Sequence, residues 1–175
     1  TTAEQPMSNY LDKLSAVRNN IASIADSFNI YHVNIFLPDD SFASKEGLTF
    51  CSLSDLKKYK VQLSDFSKQG LTPNWIFRKD INFPYMVSKG EEPSGVLSCY
   101  RYAKINSQKT CLAVHITSEE LSNYLNTFSE GNPSLSYIIN SEGVVLSSTD
   151  KKQIGGSLSN EKLHAVGLGV MNLHG

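Results

Sequence analysis

The chain has 175 residues, of which 40% are hydrophobic, and its 16 basic and 17 acidic side chains leave a formal net charge of -1. This size and hydrophobic content suit one ordinary folded domain, or one domain and part of another. The basic residues form no cluster that could neutralise a run of phosphates, so we expect no nucleic-acid partner. No window reaches the ~20 apolar residues that a membrane-spanning helix needs.

The segment from Tyr10 to Phe28 is predicted to be a helix, because its apolar residues recur at spacings of three and four. They form one stripe, made of Leu11, Leu14, Val17, Ile21, Ile24, Ala25 and Phe28. Two interpretations of the stripe stay open. It packs on the sheet of its own domain, or it also forms a dimer contact and carries a signal towards a membrane.

A strand is predicted over 31–37, where β-branched and aromatic residues alternate before a turn at Pro38-Asp39-Asp40. A polar excursion then runs from Ser41 to Gly70, and short serine-capped helices are predicted to begin at Ser52 and Ser64. Further strands are predicted over 74–78, 85–88, 95–105 and 109–117.

The hairpin over 95–117 is predicted to turn at Asn106-Ser107-Gln108, which places Cys99 opposite His115 and Cys111 opposite Ala103. One face would then carry Val96, Tyr100, Tyr102, Leu112, Val114 and Ile116. The other face would carry Leu97, Cys99, Arg101, Ala103, Cys111, Ala113 and His115. The small side chains of this second face would leave space above the sheet for a ligand cavity.

The residues give little support for catalysis. Cys51, Cys99 and Cys111 are too few and wrongly spaced for a zinc site, and we expect free buried thiols rather than a disulfide. The histidines lack metal-ligand spacing, and no serine lies in a Gly-x-Ser-x-Gly turn. A thiol and imidazole pair of Cys99 and His115 is conceivable, but a structural pair is favoured. We therefore expect no catalytic residue, no metal and no cofactor.

A helix is predicted over 118–126, with Thr117 or Ser118 as its N-cap, and it ends before Gly131-Asn132-Pro133. A second hairpin follows, in which apolar runs over 137–139 and 144–146 flank a short turn. Gly143 can take a positive φ and close this turn.

Six segments of the chain, taken in order, are similar to segments of one known protein family. They are "NIYHVNIFLPDD", "SKEGLTFCSLSDL", "PNWIF", "SCYRYAKI", "CLAVHITSEELSNYL" and "YIINSEGVVLSSTDKKQIG". Together they resemble the extracytoplasmic double Cache region of YesM-type bacterial sensor histidine kinases. The resemblance implies an α+β fold, in which a long N-terminal helix packs on a PAS-like antiparallel sheet and the start of a second Cache module follows. Residues 1–28 would be the signalling helix, 29–131 the membrane-distal sensor module and 132–175 a partial membrane-proximal module.

The same resemblance implies an extracytoplasmic location at the cell membrane and a small-molecule stimulus such as a sugar, an amino acid or another organic acid. We expect the chain to be a piece of a longer protein, a histidine kinase whose transmembrane helices and catalytic domain lie elsewhere. The piece itself would be no enzyme. A homodimer through the N-terminal helix is also expected.

In Cache modules the stimulus pocket lies between the central sheet and the excursion that precedes it. The candidate ligand-binding residues here are Trp75, Phe77, Tyr85, Arg101 and His115. Arg101 could pair with a carboxylate and the aromatic rings could stack on a ligand. The alternative is that Trp75 and Tyr85 belong to the core and that Arg101 forms an internal ion pair.

Two other functions stay open. The same input module could serve a chemoreceptor or a cyclic-dinucleotide enzyme. A secreted hydrolase would need paired acidic residues on facing strands, whereas Glu91-Glu92 and Glu119-Glu120 lie in turn or cap positions.

Overall fold

The computed structural model describes residues 4–38, 49–57, 74–79, 93–105, 107–128, 136–140 and 142–158. The described part of the chain is α+β. Its helices are α1 (Glu4–Ser27) and α2 (Ser118–Phe128), with short 3₁₀ helices at Leu53–Lys57 and Lys151–Gln153. Its strands are β1 (His32–Leu37), β2 (Phe50–Ser52), β3 (Asn74–Arg78), β4 (Val96–Ile105), β5 (Gln108–Thr117), β6 (Tyr137–Ile139) and β7 (Val145–Ser148). Tyr85, the predicted strand over 85–88 and the predicted helix at Ser64 lie outside the described residues.

Five strands form one sheet in the order β2-β1-β5-β4-β3, and β6 and β7 form a separate two-stranded sheet. The pairs of β1 with β5, β5 with β4 and β4 with β3 are antiparallel, but β1 and β2 are parallel. The sheet is therefore mixed, and the expectation of an antiparallel sheet was wrong at this edge. Residues 38–49 separate the two strands, which is the length that a parallel return needs.

The β4–β5 hairpin has a tighter turn than predicted. Ile105 pairs with Gln108 and not with Lys109, and Ser107 has a φ of 66°. Cys99 therefore lies opposite Val114, and Cys111 lies opposite Tyr102. A slip of one residue moves every partner side chain to the other face of the sheet, so the two predicted faces were wrong.

We call the buried side of the sheet the inner face. It carries Asn34, Phe36, Cys51, Ile76, Ser98, Tyr100, Tyr102, Cys111, Ala113 and His115. All of these are buried except Ile76 and Tyr102, which are half-buried. The 3₁₀ helix covers part of this face, because its Leu56 belongs to the core cluster and Leu53 packs against it. This short helix, which belongs to the predicted polar excursion, therefore lies over the inner face.

The outer face is less covered. It carries Trp75, Phe77, Leu97, Cys99, Arg101, Leu112, Val114 and Ile116. Leu97 is buried, Arg101 and Leu112 are exposed, and the others are half-buried. All three cysteines are thiols rather than disulfide partners, as predicted, although Cys99 is only half-buried.

Helix α1 packs on the sheet at its C-terminal end. Ala25 is buried there, and its carbonyl accepts the Ile30 N–H at 2.8 Å before Tyr31 bonds to the carbonyl of His115 on β5. The apolar stripe predicted from the sequence is present but mostly uncovered. Leu14 and Ile21 are half-buried, whereas Leu11, Val17, Ile24 and Phe28 are exposed.

The C-terminal elements match the sequence pattern closely. Thr117 caps α2, since its hydroxyl accepts the Glu120 N–H at 3.1 Å. In the second hairpin Gly143 has a φ of 78°, and the Asn140 side chain accepts the N–H groups of Glu142 and Val144. Glycine is the residue that adopts this left-handed conformation at least cost.

Candidate functional site

A line of hydrogen bonds crosses four strands on the inner face, and we call it the His115 network. The Ser98 hydroxyl on β4 lies 2.8 Å from Nδ1 of His115 on β5. Nε2 of the same ring lies 2.8 Å from Oδ1 of Asn34 on β1. The Asn34 amide in turn donates to the Cys51 sulfur on β2 at 3.6 Å. All four side chains are buried, and both ring nitrogens of His115 are used.

Strand register brings these residues together. His115 lies directly opposite Ser98 on one side and His32 on the other, and Asn34 lies opposite Ala113. Because the Asn34 oxygen can only accept, Nε2 of His115 carries the proton and Nδ1 accepts from the Ser98 hydroxyl. The arrangement fits a neutral imidazole with its proton on Nε2.

The surroundings of His115 oppose its protonation. Burial, and then the charges of His32 and Arg78, lower the pKa of His115 from 6.5 to about 3. The His32 ring stacks at a centroid distance of 6.3 Å, and the Tyr100 ring meets the His115 ring edge-on at 6.0 Å. His115 is therefore a neutral, fixed hydrogen-bonding group near pH 7.

Other ionisable groups on this face are also held neutral. Burial, and then Cys111, raise the pKa of Tyr102 to about 12, and burial raises the pKa of Tyr100. Burial is also the main cause that raises the pKa of Cys111 to about 12. A thiol of this kind is not a thiolate nucleophile near neutral pH. Apart from Arg78, which lies opposite Val96, the inner face thus offers phenol hydroxyls and a thiol.

Ser98, His115 and Asn34 follow the order of a nucleophile, a base and an orienting amide. Ser98, however, lies within a paired strand and is only 1% exposed. A substrate could reach its hydroxyl only if the residues that cover the inner face moved. The geometry therefore suits a structural role for the network, which fixes the pairing of four strands.

The predicted ligand-binding residues do not lie on one face. His115 belongs to the inner face, whereas Trp75, Phe77 and Arg101 lie on the outer face. Trp75 pairs with Cys99, so Arg101 is its diagonal neighbour on β4. Their ligand-binding role stays a prediction, but the proposed grouping of Arg101 with His115 was wrong because it rested on the shifted register.

Sequence reasoning missed Ser98, Asn34 and Tyr102 as site residues. One signal was available, because Asn34 is a lone amide inside the otherwise apolar end of "HVNIFL". A buried amide in such a strand needs hydrogen-bond partners on the neighbouring strands. Ser98 gave no comparable signal, since its meaning depends on which residue faces it.

A shallow cleft of about 250 Å³ lies between the end of α1 and the start of α2, lined by Asp26, Asn29, Tyr31, Thr117 and Glu120 among others. Within the described ranges, no three His, Cys, Asp or Glu side chains are grouped as metal ligands would be. None of the described helices is long and apolar enough to span a bilayer. No family model, curated protein or solved structure matches the chain.

Proposed function

We propose that this chain is the extracytoplasmic sensing module of a membrane-bound sensor histidine kinase and that it binds a small organic molecule. The proposal rests on the sequence resemblance to Cache regions and on an α+β fold in which a long helix leads into a five-stranded sheet. One observation carries it. Tyr100 and Tyr102 of the inner face lie in one cluster with Leu53 and Leu56 of the 3₁₀ helix, which belongs to the excursion, and the resemblance implies the pocket between the excursion and the sheet.

The chemistry of the inner face indicates which ligands to test. Phenol hydroxyls and aromatic ring edges suit a hydroxyl-rich molecule such as a sugar. Arg78 also lies on this face, opposite Val96, and a guanidinium pairs well with the carboxylate of an amino acid or organic acid. We therefore expect a sugar if the tyrosine hydroxyls make the main contacts with the ligand, and an amino acid or organic acid if Arg78 makes them.

A thermal-shift screen of sugars, amino acids and organic acids tests the binding function. We expect one class to raise the melting temperature with increasing concentration, because a ligand that binds only the folded state stabilises it by about 2.7 kcal/mol at one hundred times its dissociation constant. The hit should be recovered unchanged after long incubation. Conversion of the hit to a product, or no shift with any compound, would contradict the proposal.

A heptad seam on α1, which shares most of its residues with the apolar stripe, supports a homodimer of the proposed sensing module. Met7, Tyr10, Leu14, Val17, Ile21, Ile24 and Phe28 alternate spacings of three and four, which is the heptad pattern of a coiled-coil seam. Val17 and Ile24 are exposed. A second copy of the same helix would present a matching seam, so we propose α1 as the dimer contact.

Replacing both Val17 and Ile24 with glutamate is expected to weaken the dimer more than about tenfold, because the seam would then bury charges. Sedimentation equilibrium of the two forms measures this change. Asn19→Glu is the matched control, since Asn19 is exposed and lies off the seam. A wild-type chain that stays monomeric at high concentration, or a control as weakened as the double variant, would contradict the dimer proposal.

A further inference from the structure

Serine hydroxyls join α2 to β7. The Ser118 hydroxyl donates to the carbonyl of Leu146 at 2.7 Å, and the Ser147 hydroxyl donates to the carbonyl of Ser118 at 2.8 Å. The Ser122 hydroxyl lies 2.7 Å from that of Ser147 and 3.0 Å from the carbonyl of Ser148. We call Ser118, Ser122 and Ser147 the serine joint. Ser118 and Ser147 are fully buried.

Ser118 also bonds to the large sheet, at the end where β4 begins. Its N–H donates to the carbonyl of Gly95 at 2.9 Å, immediately before β4. Gly95 has no room for a side chain, because a Cβ there would lie 2.6 Å from Cζ of Phe77 on β3 and 2.9 Å from the Ser118 hydroxyl. Ser118 therefore bonds to β7 and to Gly95, and Gly95 packs against Phe77 of β3.

We propose that the serine joint couples the β6–β7 hairpin to the five-stranded sheet, so that a shift of β3 and β4 displaces β7. The hydrogen bonds are short, buried and directional, and a displaced Ser118 would leave the carbonyl of Leu146 without this donor. We therefore expect β7 to move together with the sheet. Its use in signalling rests on the proposed sensing function, but the mechanical coupling does not.

Hydrogen–deuterium exchange on the full 175-residue chain tests the coupling without any ligand. In Ser118→Ala and in Ser147→Ala, we expect the amides of β6 and β7 to exchange about tenfold faster, because each change removes a buried hydrogen bond. The amides of β1, β4 and β5 should keep their wild-type protection. Either variant alone carries the test if the other does not fold.

Thr127→Ala is the matched control, because the exposed Thr127 hydroxyl donates to the carbonyl of Tyr124 within α2 itself. It should leave the exchange of β6 and β7 unchanged. Wild-type exchange of the hairpin in both serine variants would overturn the proposal. So would an equal acceleration of the hairpin and the five-stranded sheet, since the serines would then support the whole fold and not the joint.

A ligand found in the thermal-shift screen adds a second arm. In the wild-type chain it should slow exchange in both the sheet and β7, whereas in Ser147→Ala it should slow exchange in the sheet alone. If the ligand also slows amide exchange in β7 of Ser147→Ala, transmission through the serine joint is contradicted. A screen without any hit would count against the sensing function and leave the ligand-free exchange result standing.

Discussion

Replacing His115 with alanine is expected to lower the free energy of unfolding by about 3 to 5 kcal/mol. The side chain is fully buried, and its two ring nitrogens bond to the Ser98 hydroxyl and the Asn34 amide. Its removal leaves a cavity in the core and two buried polar groups without their ring partner. Urea denaturation followed by circular dichroism measures the change.

Two control variants separate this effect from general sensitivity to mutation. His115→Gln keeps a neutral group that both donates and accepts, so it should lose less stability than the alanine variant. Arg101→Ala removes an exposed side chain from the outer face and should change stability by no more than about 0.5 kcal/mol. An alanine variant that loses less than about 1 kcal/mol would show that His115 is not held in a closed network.

Acid is expected to destabilise the fold by about 2 kcal/mol between pH 7 and pH 5 through His115 alone. The pKa of His115 is about 3 in the folded chain and 6.5 in its ordinary state. As the pH falls through 6.5 the unfolded chain takes up a proton that the folded chain does not. The stability contributed by the neutral ring is therefore complete above pH 6.5 and is lost progressively as the pH approaches 3.

The difference between the wild-type chain and His115→Gln isolates this effect, because the other three histidines are common to both. Glu119 contributes little to the change over this pH range. Burial raises the pKa of Glu119, but hydrogen bonds from Ser94 outweigh it and the net pKa falls below 4.5, so its stabilisation is lost only at lower pH. Equal pH slopes for the two chains would mean that His115 is not kept neutral by the fold.

The sequence pattern predicted most elements but not the register between them. The residue pattern located β3, β4, β5, α2 and the second hairpin within about two residues, and it located the end of α1, but α1 begins at Glu4 and not at the predicted Tyr10. The length of the β4–β5 turn was less visible, because Ser107 adopts a positive φ without being glycine. Strand β2 was missed because three residues in a polar stretch show no alternation.

The candidate site depended on that register. His115 was identified as a site residue, but a turn longer by one residue assigned it to the face of Arg101. Side-chain identity alone could not reveal the partners, since Ser98 faces His115 only in the observed register and Asn34 lies 81 residues away in the chain. Residue type thus indicated that buried polar groups form hydrogen bonds in this sheet, and only the strand pairing showed which residues bond to each other.

The central claim is that the ligand binds at the inner face. Isothermal titration calorimetry with a compound from the thermal-shift screen tests it, comparing Tyr102→Phe on the inner face with Arg101→Ala on the outer face. We predict that Tyr102→Phe weakens binding about tenfold through loss of one hydroxyl, while Arg101→Ala leaves the dissociation constant unchanged. Weaker binding by Arg101→Ala with unchanged binding by Tyr102→Phe would contradict the claim and place the ligand on the outer face.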